Sequence, residues 1–175
     1  KMGRPFDFEL SIDETETPTR PEAHVYIAME MKERSIPVSS LAPRFVGEFQ
    51  KGIDYIGDKK AFDASFRTHA AIARHFGYRI SIHSGSDKFL VFPTIGKETA
   101  YRFHLKTAGT NWLQALLVIA QTEPDFFRTL YGTALRVLPD ARKYYHITPN
   151  MDNVPDAGSL SEGELTGLFD NPDAR

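Results

Sequence analysis

Short stretches in which apolar and polar residues alternate are separated along this chain by longer stretches with helical spacing. In the first short stretch every second residue from Phe6 to Ile12 is apolar, and the residues between are acidic or hydroxyl-bearing. This period of two predicts a strand with one buried face. The strands predicted in this way cover residues 6–13, 38–42, 78–83, 101–106 and 143–148.

Helices are predicted between these strands. Pro21 opens one that runs to residue 34, Asp58 is a good N-cap for one over residues 59–76, and Gly77 is a natural stop. Two more are predicted at residues 112–120 and from Pro124 onward, and the segment 78–106 reads as two strands joined by a loop. Alternating strands and helices indicate an α/β protein with a parallel sheet. Residues 149–175 read as a loop-rich tail with one short turn at 162–168.

The polar faces of the strands favour one α/β architecture over another. A doubly wound sheet is covered by helices on both sides, so both faces of its strands are apolar. A (β/α) barrel has helices only outside, and its strand ends line a site. The sequence therefore predicts a partial TIM-type barrel with about five parallel strands, at whose mouth Glu9, Asp13, Arg79, His83, His104 and Lys106 converge.

Composition narrows the function classes. The 175 residues carry a formal charge of −2, are 41% hydrophobic and include no Cys. A disulfide framework and a Cys-ligated metal are excluded, and a balanced charge gives no sign of a nucleic-acid partner. No apolar run approaches the roughly 18 residues of a membrane helix, and the first residues lack a signal-peptide hydrophobic region. We expect a single domain over residues 1–175, located in the cytoplasm by exclusion.

The segment after the third predicted strand is the richest in chemical groups. His83 ends that strand, and its neutral imidazole could bind a divalent metal ion. Asp87 and Lys88 follow within five residues and could bind the hydroxyls or the anionic group of a substrate. The alternative is a histidine bonded to a backbone carbonyl beside an ordinary charged loop.

Carboxylates and basic groups on neighbouring strands could take part in catalysis. Glu9 and Asp13 lie about 13 Å apart along one strand and suit proton transfer or metal ligation. His104 is a candidate substrate ligand on the fourth predicted strand. Lys106 could hold a substrate carboxylate or neutralise Glu9, and the sequence leaves both open.

Four further residues are candidates. His146, at the end of the fifth predicted strand, is a possible metal ligand or substrate contact. Arg44 follows the second strand and could clamp a carboxylate with two hydrogen bonds. Gln50 and the nearby Glu48 could each offer an oxygen to a metal ion. No nucleotide-binding, zincin or serine-hydrolase motif is present.

Three long segments resemble the tagaturonate epimerase family, and the resemblance extends over most of residues 6–173. They are LAPRFVGEFQKGIDYIGD (41–58), IHSGSDKF (82–89) and FHLKTAGTNW (103–112). The resemblance implies a divalent-metal-dependent isomerase that interconverts tagaturonate and fructuronate in hexuronate catabolism. It also implies Glu9 at the proton-donor position and Gln50 and His83 as metal ligands, with Zn, Mn, Co or Ni compatible with His and oxygen ligands.

Members of that family are more than twice as long as this chain. The resemblance therefore implies the carboxyl-terminal part of a barrel, which needs its other half or self-association. The two sugar acids differ at a carbon β to the ketone, whose C–H the carbonyl does not acidify. Retro-aldol cleavage and re-addition would invert that carbon. The alternatives are a metal-dependent sugar aldolase, a ketose 4-epimerase for uncharged sugars, and a catalytically silent sugar-acid-binding fragment.

Overall fold

The computed structural model describes residues 5–107, 111–144 and 147–170. The chain forms two compact units, Lys1–Ala108 and Gly109–Arg175. We call the first the sheet unit and the second the helical unit.

The sheet unit holds four parallel strands in the order β1-β2-β3-β4. This confirms the α/β class and the first four predicted strands, which are shorter than predicted because their outer residues make no ladder pairs. The elements are β1 (Glu9–Ile12), α1 (Pro21–Glu33), β2 (Ser40–Pro43), α2 (Lys59–Phe76), β3 (Arg79–Ile82), α3 (Phe92–Thr99) and β4 (Phe103–Leu105).

Helix α2 matches its predicted bounds, and its caps explain why. The Asp58 carboxylate accepts hydrogen bonds from the backbone N–H groups of Lys60 and Ala61 at 2.8 and 3.3 Å. Gly77 ends the helix with a φ of 86°, a left-handed conformation that costs glycine little. The apolar stripe of α2 packs against the sheet in a core formed by Phe45, Phe49, Tyr55, Phe62, Phe66, Ala70, Ala73, Ile80, Ile82, Val91 and Ile95.

Helix α3 corrects the prediction of a loop between the third and fourth strands. Its proline stands in the first turn, where a missing N–H breaks no intrahelical bond. Val91 and Ile95 are fully buried against the core, and this burial outweighs the weak helix propensity of Gly96.

The helical unit contains α4 (Asn111–Thr122), α5 (Pro124–Ala141), a 3₁₀ turn (Met151–Asn153) and α6 (Glu162–Gly167). Its small core joins Ala120, Phe127, Ala157 and Leu165. The predicted strand at 143–148 is wrong for the residues that can be described there: Lys143 and Tyr144 lie in the turn after α5, and Ile147 and Thr148 have no regular structure. Within the described ranges no helix is long and apolar enough to cross a membrane.

The polar face of the sheet is concave. Strands β1 and β4 are the outer strands, so a flat sheet would hold their backbones about 14 Å apart. Nevertheless Glu9 Oε2 on β1 lies 2.5 Å from His104 Nδ1 on β4. The sheet must therefore curve around this face, and the small side chains of Ser40 and Ser81 on the middle strands leave room for the contact.

On the helix side, a buried polar cluster joins α1 to α2. His24 Nδ1 lies 2.9 Å from His69 Nδ1, and His24 Nε2 lies 2.7 Å from the Tyr78 hydroxyl. Both imidazoles are fully buried. Burial, together with the nearby His69, lowers the pKa of His24 to about 3, so the pair is neutral at pH 7.

This cluster predicts a loss of stability in acid. Because His24 binds a proton near pH 6.5 when unfolded but only near 3 when folded, its contribution is complete above about pH 6.5 and declines towards pH 3. In urea unfolding, the unfolding free energy of the wild type should fall with decreasing pH between pH 6.5 and 4.5. His24→Gln should reduce this slope by about 1 kcal/mol per pH unit. His75→Gln makes the same change at an exposed position on α2, the helix that carries His69, and should leave the slope unchanged. Equal slopes for His24→Gln and wild type would contradict this account.

Candidate active site

Glu9 is the centre of a hydrogen-bonded row across the concave face. Its Oε2 accepts a hydrogen bond from Ser40 Oγ at 2.7 Å and contacts His104 Nδ1, which also lies 3.1 Å from Ser81 Oγ. Burial alone would raise the pKa of Glu9, but the hydrogen bonds from Ser40, His104 and Ser81 outweigh it and hold the pKa below its ordinary value. Glu9 is therefore ionised at neutral pH, and it must accept a proton before it can donate one.

A second group lies nearer the carboxyl ends of the strands. Asp13 follows β1 and accepts a hydrogen bond from Ser11 Oγ. Lys106 follows β4, and its Nζ lies 2.8 Å from Ser11 Oγ, 3.4 Å from Asp13 Oδ2 and 3.6 Å from Glu9 Oε1. Burial would raise the pKa of Asp13, but the Ser11 hydrogen bond, a backbone N–H and the Lys106 charge lower it. Of the two roles left open for Lys106, this geometry favours neutralising Glu9 and Asp13.

His83 lies directly after β3 beside this group. Its ring stacks on Phe45 with a centroid distance of 5.9 Å and an angle of 5°, and Phe49 packs against it at 5.0 Å. Burial lowers the pKa of His83 to about 4, nearby cations add to the shift, and Asp13, 3.9 Å from Nδ1, opposes it. His83 is therefore neutral at pH 7.

The surroundings of His83 fit a metal ligand. Its Nε2 is buried without a hydrogen-bond partner, and a neutral imidazole nitrogen with an unused lone pair is the form that binds divalent cations. Within residues 5–107, 111–144 and 147–170, no three His, Cys, Asp or Glu side chains are grouped to hold a metal ion. Further ligands would have to be of another type, as Gln50 is, or lie elsewhere.

Of the other two predicted metal ligands, Gln50 and His146, the structure describes only Gln50. Gln50 is buried, and its Nε2 donates to Glu48 Oε2 at 2.5 Å, so its amide oxygen is the atom it could offer to a cation. His146 lies outside the described residues, so its role stays a prediction.

Three predicted substrate ligands lie in loops beyond the strands. Arg44 donates from Nη1 to the Thr15 carbonyl, and its guanidinium has further N–H groups to offer a carboxylate. Asp87 has a left-handed φ of 59° and a buried Oδ2 without a partner, as a site for a hydroxyl would require. Lys88 is fully buried, which revises its expected contact with substrate.

The structure also corrects and extends the predicted set. Arg79 lies at the amino end of β3 and pairs with Asp7 at 2.9 Å, so it does not belong to the mouth. Sequence reasoning missed the aromatic rings against His83, Phe45 and Phe49. It also gave no role to Ser40 and Ser81, although Ser81 alternates with His83 on the polar face.

These features define a parallel α/β protein with acid–base groups and a buried, neutral histidine at the carboxyl ends of its strands. A family model described as tagaturonate epimerase matches residues 1–175. The chain belongs to the tagaturonate epimerase family.

Relatives and solved structures agree with this assignment. A tagaturonate/fructuronate epimerase of Thermotoga maritima is 46% identical over 171 residues, which cover 97% of this chain and 36% of the relative. The native crystal structure of fructuronate-tagaturonate epimerase from Cohnella laeviribosi is 49% identical with a TM-score of 0.93, covering 98% of this chain and 35% of that one. A complex of the same enzyme with one glycerol is 50% identical, with the same TM-score and coverage. The chain thus spans about a third of the length of the relatives it matches.

Proposed function

We propose that this chain supplies part of the active site of an isomerase that interconverts tagaturonate and fructuronate in hexuronate catabolism. The observation that carries the proposal is the contact of Glu9 with His104 across the concave face, beside the unpartnered Nε2 of His83. Family membership and 46–50% identity to proteins named for this epimerisation support it. The cytoplasmic location stays a prediction.

We further propose that the four strands form one side of a (β/α) barrel. The concave sheet supports this, because a barrel wall curves around its polar interior. Strands β1 and β4 each have one ladder partner among the described residues, so both outer edges can accept another strand. The remaining strands would come from the rest of a longer polypeptide or from a second chain.

A divalent cation is the proposed cofactor. His83 and the amide oxygen of Gln50 would hold it, with groups from the rest of the barrel as further ligands. Bound there, the cation would supply positive charge close to the oxygen atoms on which negative charge develops.

The chemistry of the two sugar acids favours retro-aldol cleavage. A base takes the proton of the hydroxyl on the carbon to be inverted, and the bond from that carbon to its neighbour α to the ketone breaks. The electron pair moves onto the ketone oxygen, leaving an enediolate and an aldehyde. Rotation turns the other face of the aldehyde towards the enediolate, the bond forms again, and the base returns its proton. No oxidant or reductant is consumed.

The Glu9–His104 pair is the proposed base. In this proposal the Nδ1 hydrogen of a neutral His104 points at the ionised Glu9, which would leave the lone pair on Nε2 to take the hydroxyl proton. The Lys106 charge helps to keep Asp13 ionised, and its Nζ lies 3.6 Å from Glu9 Oε1. Arg44 is the proposed ligand of the substrate carboxylate, and Asp87 of a hydroxyl.

Epimerisation in D₂O tests the retro-aldol route. We expect fructuronate formed from unlabelled tagaturonate to retain hydrogen at the inverted carbon, because that C–H bond is never broken. Mass spectrometry and proton NMR of the product measure this. One solvent deuterium per turnover at the inverted carbon would contradict the mechanism. A mechanism by transient oxidation would also retain this hydrogen. The two mechanisms are distinguished by trapping with hydroxylamine, because only retro-aldol cleavage forms a three-carbon aldehyde acid.

A further inference from the structure

Lys88 is a buried cation whose hydrogen bonds all go to the backbone. Its side chain is 0% exposed, and its Nζ donates to the carbonyl oxygens of Gln50, Ile53 and Ser86 at 2.7, 2.5 and 2.8 Å. An ammonium group has three N–H donors, so these three bonds use all of them. None is left for a substrate carboxylate.

These bonds join two loops. Gln50 and Ile53 belong to the loop between β2 and α2, whereas Ser86 and Lys88 belong to the loop between β3 and α3. Asp54 makes the reciprocal connection, because its carboxylate oxygens lie 3.2 and 3.1 Å from the backbone nitrogen of Leu90. We call Lys88 and Asp54, with the groups they bind, the loop latch.

The latch holds a strained segment in place. Ser84 and Asp87 have φ values of 44° and 59°, left-handed conformations that non-glycine residues adopt only at an energetic cost. Such conformations persist only where surrounding contacts fix them. Burying an ammonium group is costly unless it is fully hydrogen-bonded, and the Lys88 ammonium is bonded to three carbonyl oxygens. We infer that Lys88 is buried in order to fix the geometry of these loops, and not for packing alone.

We propose that Lys88 is a positioning residue that sets Gln50 at the correct distance from His83. The proposal rests on the proposed function, in which these two side chains hold one cation. Lys88 fixes the backbone of Gln50 directly, and it binds the loop that begins at His83 through Ser86. It acts on the metal site through the backbone and touches neither cation nor substrate.

The test is a double-mutant cycle in the complete protein that contains these residues, with Co²⁺ alone as the probe. Lys88→Met should raise the Kd for Co²⁺ roughly tenfold to a hundredfold, as loss of groups that orient metal ligands does. Gln50→Ala should raise it as well. Because Lys88 acts through Gln50, the double variant should be weakened little beyond Gln50→Ala alone.

Control variants separate positioning from general damage. Lys97→Met makes the same change at an exposed position on α3 and should leave Co²⁺ affinity unchanged. Asp54→Asn weakens the other half of the latch at an exposed residue, and it should raise the Kd in the same direction by a smaller factor. This variant also decides the matter if Lys88→Met does not fold.

Each outcome has one meaning. Unchanged Co²⁺ affinity in Lys88→Met and Asp54→Asn overturns the proposal, as do additive effects in the cycle. The proposal is also overturned if Lys88→Met raises the KM for tagaturonate tenfold at saturating Co²⁺ and leaves the Co²⁺ affinity unchanged. Lys88 would then be a substrate ligand. Failure of the proposed function looks different: the wild-type protein would not convert tagaturonate, whatever the cycle gives.

Discussion

Replacing His83 with phenylalanine should lower kcat/KM for tagaturonate by at least about 10³-fold. Phenylalanine preserves the ring that stacks on Phe45 and packs against Phe49, but it removes the buried Nε2. A catalytic cation contributes several kcal/mol of charge stabilisation, and about 4 kcal/mol corresponds to a thousandfold in rate. Initial rates of fructuronate formation, measured with added Mn²⁺, Co²⁺, Ni²⁺ or Zn²⁺, test this prediction.

A matched variant and a binding measurement complete the experiment. His75→Phe makes the same change at an exposed position on α2 and should keep the wild-type rate. Titration with Co²⁺ in the absence of substrate should show weaker binding for His83→Phe only. If His83→Phe melts at the wild-type temperature and retains activity within tenfold, His83 is not a metal ligand that the reaction needs.

Replacing Glu9 with glutamine should lower kcat by roughly 10²–10⁴-fold, the usual contribution of a general acid or base. Glutamine can still accept the Ser40 hydrogen bond, but it carries no charge to orient His104 or to accept a proton. The kcat should fall more than the KM changes, because the proton transfer belongs to the chemical step. Steady-state kinetics at saturating metal measure both constants.

The control for Glu9 lies a few residues along the chain. Glu16 is an exposed carboxylate in the loop after β1, and Glu16→Gln should leave kcat unchanged. A kcat for Glu9→Gln within threefold of wild type would exclude the Glu9–His104 pair as the base. A raised KM with unchanged kcat would instead make Glu9 a group that binds substrate.

Alternation along the strands was enough to predict that Glu9 lies close to His104 and Lys106. The period of two placed Glu9, His104 and Lys106 on one face, and parallel connections placed the ends of β1, β3 and β4 together. The two ends of α2 could also be predicted from the sequence, because Asp58 and Gly77 each act within a few residues of their own position. Signals of this kind depend on local geometry, which the sequence shows directly.

Features decided by distant contacts could not be read in the same way. The backbone that leads to Lys88 is left-handed at Ser84 and Asp87, and neither position is a glycine that would have indicated this conformation. Helix α3 forms because Val91 and Ile95 are buried by other elements. The aromatic and basic run at 143–148 resembles a strand locally, but the turn after α5 includes its first residues.

Proton NMR of tagaturonate incubated with the complete protein and a divalent metal ion tests the central claim most directly. We expect fructuronate to accumulate until the two sugar acids reach equilibrium, with no conversion of tagatose, whose missing carboxylate leaves Arg44 without a ligand. Conversion of tagatose at a comparable rate would favour a ketose epimerase for uncharged sugars. A folded protein that binds tagaturonate but converts none of it with Mn²⁺, Co²⁺, Ni²⁺ or Zn²⁺ would contradict the account.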